Sequence, residues 1–363
     1  MDMNPALAPS ETLEHSITEN ELVETTKKYF DYLGKKDLIS GTILLAKGDR
    51  ILYLDSCGEA SKRFHVPNNT NTKFNLGSMN KMFTGIAVVK LAQEGKLGFS
   101  DKLDKYVDES WLSKETASKV SIHQLLTHSS GLGDYFSDNY WNSSRELYRS
   151  LNDFKPLVED TLYFEPGSSF QYSNTGMLLL GVVIEKVTGQ SYFDYVKKNI
   201  YLPLGMINTD SYEMDAPVEN LAIGYMRAGN EYGWMNNIFT HVLKGGPAGG
   251  GFSSVHDLHK FGVSLLKEEI LDQKNLDILF DFHQELPESM AKGYRYSHYG
   301  YGFMMGKKDE KLNLGHLGGF PGISSGLNIE ANSGYMIITL SNYDLWGAFL
   351  NLVIRDQIMR VKN

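Results

Sequence analysis

Ser78 and Lys81 lie three residues apart in Gly77-Ser78-Met79-Asn80-Lys81, which opens the strongest helical stretch of the chain. That spacing puts both side chains on one helix face. A serine at a helix start is a candidate nucleophile, because the helix N-terminus stabilises negative charge developing on an oxygen. A lysine one turn along can take the serine proton if burial or positive neighbours depress its pKa. The spacing alone is weak evidence. Ser264 with Lys267 and Ser289 with Lys292 repeat it without a Gly-Ser start, and a plain helix cap explains a lone match.

Tyr172-Ser173-Asn174 is the second candidate. A phenol beside a lysine can shuttle protons, and an asparagine amide can hold a substrate carbonyl. Tyr140-Trp141-Asn142 is its rival. Tyr172 is preferred because it lies between the turn Glu165-Pro166-Gly167 and a helix start at Thr175. Taken alone, Asn174 is a helix cap. The third candidate is His316-Leu317-Gly318-Gly319, with His298-Tyr299-Gly300 as rival. His316 is preferred because Gly318 and Gly319 follow it, permitting a substrate to lie against a strand edge.

The elements that must position these residues read as follows. Thr18 to Lys36 is an amphipathic helix, with Thr18 and Glu21 spaced as a capping box. Gly41–Lys47 and Arg50–Cys57 are strands around a tight turn. Met79–Glu94 is a helix ended by Gly95. Helices and loops then dominate, including Ser121–His128, Thr175–Thr188 and Ser191–Asn199. Strands return at Tyr299–Met305, Leu312–Gly315, Ile323–Ile329 and Tyr335–Ser341, and a last helix runs from Leu345 to Arg360. The expected fold class is α/β (α+β): an antiparallel sheet flanked by the terminal helices, with an inserted all-helical block. The expected division is a loose leader at 1–17, a discontinuous sheet domain at 18–75 and 290–363, and a mainly helical domain at 76–289. The site would lie in the cleft between the two domains.

The chain has 363 residues, 42% of them hydrophobic and 22% charged, which is ordinary for a globular protein. Its 35 basic residues against 44 acidic ones give a net charge of −9, which argues against nucleic acid or an anionic membrane as partner. The one cysteine, Cys57, excludes an intrachain disulfide and a Cys-x-x-Cys site. Cys57 is expected as a small buried strand residue. No apolar run is long enough for a transmembrane helix. The N-terminus lacks an apolar signal region, so the expected location is cytoplasmic for the chain as given, or periplasmic or secreted if a signal peptide has been removed.

The three motifs in this order resemble those of the serine β-lactamase and penicillin-binding-protein superfamily: Ser-x-x-Lys, Tyr-x-Asn and Lys/His-x-Gly. The resemblance is strongest to the class C-like branch, which includes class C β-lactamases, DD-peptidases, D-aminopeptidases and family VIII esterases. Leu125-Leu126-Thr127-His128-Ser129-Ser130-Gly131-Leu132, Pro203-Leu204-Gly205-Met206 and Pro247 to Ser254 are similar to further family stretches, and the likeness runs from about residue 20 to 360. It implies a sheet domain plus a helical domain. It implies Ser78 as the acylated nucleophile, Lys81 as the general base or its partner, and Tyr172 as an aid to proton transfer. Asn174 would position the substrate amide, and His316 would orient the substrate and tune the local field. The backbone N–H groups of Ser78 and Gly319 would form an oxyanion hole.

His316 stands where class C β-lactamases typically carry lysine, and the His-x-Gly form resembles certain DD-peptidases, D-aminopeptidases and esterases more. A histidine there would be a weaker, pH-sensitive carboxylate anchor. The expected function is a serine hydrolase that forms an acyl-enzyme on amide or ester bonds, DD-peptidase-like or esterase-like, with a small-molecule or peptide acyl substrate and no metal or organic cofactor. The alternatives are a true β-lactamase, an acyltransferase, and a non-catalytic penicillin-binding-fold sensor or scaffold. Oligomeric state is not indicated.

Other patterns are read as structural. Gly322-Ile323-Ser324-Ser325-Gly326 matches Gly-x-Ser-x-Gly, but a strand is expected after it where a nucleophile elbow needs a helix. His256 and His259 lack a third ligand. Ser254 is a helix cap, and Gly249-Gly250-Gly251 is a cleft loop without a phosphate-binding pattern.

Overall fold

The computed structural model describes residues 16–308 and 310–362. Residues 1–15, most of the expected leader, lie outside the described residues. Ile17 is anchored, pairing with Val361 and donating its N–H to the Arg360 carbonyl at 3.0 Å.

An antiparallel sheet of eight strands forms the frame. In chain order its strands are β1 (Gly41–Lys47), β2 (Arg50–Cys57), β3 (Gln284–Glu285), β4 (His298–Tyr299), β5 (Met304–Lys308), β6 (Lys311–Phe320), β7 (Ile323–Glu330) and β8 (Tyr335–Ser341). Their order across the sheet is β2-β1-β8-β7-β6-β5-β4-β3. The two ends of the chain meet inside it. β1 pairs with β8 along its whole length, Gly41 opposite Ser341 and Lys47 opposite Tyr335. The longest helices are α1 (Glu19–Lys35), α2 (Asn80–Gln93), α3 (Asn174–Thr188), α4 (Val255–Leu266) and α5 (Trp346–Ile358).

β1 reads as a continuous apolar run because both faces of the sheet are covered. Ile43, Leu45, Tyr335 and Ile337 point to one face, where Leu22, Phe30 and Leu33 of α1 and Leu350 and Ile354 of α5 close over them. Leu44, Ala46, Met336 and Ile338 point to the other, into one apolar cluster shared with α2, α3 and α4. The period of two thus sorts one strand between two cores. α1 starts at the expected capping box, with the Glu21 N–H donating to the Thr18 hydroxyl and the Glu21 carboxylate accepting from the Thr18 N–H.

Two strands depart from expectation in ways that matter to the site. β6 is ten residues long, not four. Its pairing with β5 ends at Gly315, whereas its pairing with β7 continues to Phe320. Residues 316–320 therefore have a partner on one side only, and their other edge is open towards the serine segment. Tyr299–Met305 is not one strand. β4 and β5 are separated by a turn in which the Gly300 N–H donates to the Phe303 carbonyl and Gly302 has φ +82°.

That turn lies against α2. A methyl on Gly85 would sit 2.1 Å from the Tyr301 carbonyl oxygen. On propensity alone, alanine in a helix interior is favoured over glycine by about 1 kcal/mol. We predict the opposite sign here: Gly85→Ala lowers unfolding stability by about 2 kcal/mol through overpacking. Urea denaturation of the two proteins checks this, and a stabilised variant would contradict the contact.

Candidate active site

Ser78 sits in a single 3-10 turn, Gly77–Met79, that feeds directly into α2. The segment before it crosses the open edge of β6 and is fastened on both sides. The Leu76 carbonyl accepts from Ser325 Oγ of β7 at 2.7 Å, and the Leu76 N–H donates to the Gly251 carbonyl at 2.7 Å. Gly77 needs its positive φ of +52° to make the corner, and its N–H donates to the Asn75 side-chain carbonyl at 2.9 Å. A methyl placed on Gly77 would lie 2.9 Å from the Gly319 nitrogen. The serine segment and the end of β6 are therefore in contact.

Lys81, one turn along, is completely buried. Its Nζ donates to Ala248 O at 2.5 Å, to Asn174 Oδ1 at 2.7 Å and to Ser78 Oγ at 3.1 Å. Those three acceptors match the three donors of an ammonium. Burial pushes the amine down from its usual 10.5 to about 7, and the Asp134 carboxylate partly opposes the shift. At neutral pH a large share of the molecules thus hold a free amine. Such an amine can keep the two shorter bonds and turn its lone pair to the Ser78 hydroxyl.

Tyr172 is half-buried, and its phenol is hydrogen-bonded with the Ser78 side chain. Burial pushes that phenol up, and the bond to Ser78 opposes the shift. The Lys81 Nζ lies 4.7 Å from the centre of its ring. Behind it, the ring of fully buried His128 packs at 4.3 Å. His128 Nδ1 accepts from the Ser173 N–H at 3.2 Å, which leaves the proton on Nε2, an atom with no partner among the described residues. Ser173 caps α3 by accepting from the Gly176 N–H. Asn174, the first residue of α3, is held by Asp134, whose Oδ2 accepts from its backbone N–H at 2.9 Å and from its Nδ2 at 2.8 Å. That grip turns the Asn174 Oδ1 towards Lys81.

His316 corrects an expectation. It is fully buried, Nδ1 donates to the Leu317 carbonyl at 2.6 Å, and Nε2 accepts from the Tyr299 phenol at 3.0 Å. Burial and the nearby Lys81 charge push it down to about 3. It is neutral near pH 7 and has no ring N–H left for a substrate, so it is not a pH-sensitive charged anchor. Gly318 is required by space, since a methyl there would meet the Leu76 carbonyl oxygen at 1.9 Å. Gly319 is exposed at the cleft, which Ser78 and Asn174 also line. The cleft, counted together with the open solvent space at its mouth, amounts to about 450 Å³.

The structural readings of the other patterns agree with their surroundings. Ser324 is a buried β7 residue whose hydroxyl accepts from the Ala348 N–H at 2.8 Å. Ser264 bonds inside α4, and Lys292 pairs with Glu288 on the surface. Ser254 caps α4, but Asp257 turns away to accept from the Asn208 N–H at 2.7 Å. His259 bonds to the Gly48 carbonyl. Tyr140 and Trp141 belong to a short helix, Asp138–Asn142, in the wall around the cleft. Cys57 is half-buried, and burial pushes its thiol up to about 12.

The family model described as Beta-lactamase matches residues 25–355. The chain belongs to the β-lactamase family. A penicillin-binding protein of Bacillus subtilis (strain 168) is 32% identical over 327 residues, covering 86% of this chain and 70% of that protein. The crystal structure of a penicillin binding protein from Bacillus halodurans superposes with a TM-score of 0.81 at 28% identity, over 92% of this chain and 98% of that one. A D-stereospecific amidohydrolase from Streptomyces sp. has a TM-score of 0.76 at 24% identity, over 93% of this chain and 98% of that one, and shows likeness of fold alone. The chain is thus a β-lactamase-fold hydrolase related to penicillin-binding proteins. No helix among the described residues is long and apolar enough to cross a membrane.

Sequence reasoning missed Asp134, the Ala248 carbonyl and the part played by His128. Asp134 lies 40 residues from Asn174 in a glycine-bearing loop, so no spacing signalled it. We predict that Asp134→Asn removes the charge that raises the Lys81 pKa and moves the acidic limb of the acylation pH profile to lower pH. Its rate at the optimum falls roughly tenfold as Asn174 loses its fixed orientation. For the parent protein we predict acylation that rises with pH through about 7, as expected if neutral Lys81 is the group that accepts the proton. Stopped-flow acylation across pH 5 to 9 reads both effects.

Proposed function

We propose that this chain is a serine hydrolase that forms an acyl-enzyme on an ester or amide bond, esterase-like or DD-peptidase-like. The observation that supports this best is the Ser78 hydroxyl, placed 3.1 Å from a lysine amine shifted to about 7 and bonded on its other side with Tyr172.

The steps follow from the contacts. Ser78 Oγ gives its proton to neutral Lys81 Nζ and attacks the carbonyl carbon. The carbonyl oxygen takes the negative charge against the N–H groups of Ser78 and Gly319. As the tetrahedral species collapses, the bond to the leaving group breaks and the leaving group takes the proton from Lys81, relayed by the Tyr172 phenol. Lys81 is neutral again. Water then attacks the acyl carbon, passing one proton to the same base, and Ser78 leaves with it. Asn174 holds Lys81 and presents its amide at the cleft. A neutral His316 supports this reading over efficient β-lactam hydrolysis, since it supplies no charge for the β-lactam carboxylate.

We predict that Ser78→Ala abolishes acylation and that Lys81→Ala slows it by about 100-fold or more. Intact-protein mass after incubation with benzylpenicillin, with Ser78→Ala as control, reads the first. A single adduct absent from the variant supports the reading, as does Ser78-dependent turnover of an ester panel. If neither occurs, the chain does not act through Ser78. Parent-like rates in Lys81→Ala would remove Lys81 as the base.

A further inference from the structure

The cleft beside Ser78 is aromatic and electrically neutral, which bears on what it accepts. Tyr135, Phe136 and Tyr140 line one side, and Phe320 and Ile323, at the turn from β6 to β7, line the other. The rings of Phe136 and Phe320 meet with centroids 5.5 Å apart, and Trp141 stacks on Phe320 at 5.9 Å with the planes 16° apart. One end of the slot is therefore closed by rings.

Charge is missing from it. Among the described residues that line the cleft there is no Lys, Arg, Asp or Glu. His241 lines it, but burial pushes its imidazole down to about 4, so it is uncharged near pH 7, and it bonds with Asn237. The guanidinium of Arg145 stands behind the wall, against the Tyr140 ring, with its two terminal nitrogens directed to the carbonyls of Tyr140, Trp141 and Ser143, and its buried Nε has no partner among the described residues. Lys81 already has an acceptor for each N–H when protonated. A carboxylate entering this cleft would shed water and find no cation. An aromatic or alkyl group would gain by the same dehydration.

We infer that the site takes small uncharged acyl donors with an aromatic or apolar acyl group, and discriminates against donors that carry a free carboxylate beside the scissile bond. This rests on the acyl-enzyme reading above and names its substrate class. The sequence motifs do not contain it, because the determinants (Phe136, Trp141 and Phe320) lie outside all three motifs.

The test is a matrix of four esters: acetyl and phenylacetyl, each on 3-hydroxybenzamide and on 3-hydroxybenzoate. The two leaving groups differ in a carboxamide against a carboxylate. The expected kcat/KM is at least roughly tenfold higher for the carboxamide of each pair. It is also roughly tenfold higher for phenylacetyl than for acetyl. Phe320→Ala is expected to shrink the phenylacetyl preference severalfold, and Phe320→Lys to reverse the carboxamide preference by supplying the missing cation. Equal rates on carboxamide and carboxylate esters, or no phenylacetyl preference, in the parent protein would overturn the inference and leave the hydrolase reading intact. Absence of Ser78-dependent turnover on all four would overturn both.

Discussion

An ammonium group taken out of water must be given an acceptor for every N–H, and Lys81 is given three. One comes from its own helix turn (Ser78 Oγ), one from α3 (Asn174 Oδ1) and one from the loop before α4 (Ala248 O). Even so, the dry surroundings cost its proton on the order of 5 kcal/mol of affinity, the equivalent of the fall from 10.5 to about 7. The chemistry proposed for Ser78 depends on that balance. With fewer acceptors the side chain would swing to water and regain an ordinary pKa. A carboxylate bonded directly to it would hold it charged. Asp134 stays one residue removed, acting through the Asn174 amide, which lets it fix geometry while adding only part of its field.

Much of the remaining architecture serves this arrangement. β6 outruns its partner β5 by five residues, and the open edge is where the serine turn crosses. Ser325 of β7 and the loop at 246–251 fasten that turn from opposite sides. The same loop is tied to α2, since Thr84 Oγ1 donates to the Pro247 carbonyl at 2.8 Å and Asn80 Oδ1 accepts from the Gly251 N–H at 3.2 Å. The glycines that puncture these segments are therefore spacing elements, letting three backbones approach around one hydroxyl.

The parts legible in the sequence are those written in local pattern. The short apolar runs of β1 and β8 bounded by turns, the capping box of α1 and the apolar run of α2 are short-range signals, and each element lies where they placed it. The order of the three motifs placed the chain in its family. What failed was set by tertiary pairing. The length of β6 is decided by β7, and the break at 300–303 by the approach of α2. The state of His316 could not be read from its neighbours in sequence, because Tyr299 and the burial that neutralise it come from the fold. Asp134 and the aromatic slot were hidden for the same reason: their partners are distant in the chain.

The most direct measurement is the titration of Lys81 itself, by NMR of the ε-carbon in protein with 13C-labelled lysine, assigned by comparison with Lys81→Arg. The account predicts one lysine signal with a midpoint near pH 7, absent in the variant. If every lysine titrates near 10.5, Lys81 is charged throughout the working range. Ser78 then has no base, and the account is wrong at its centre.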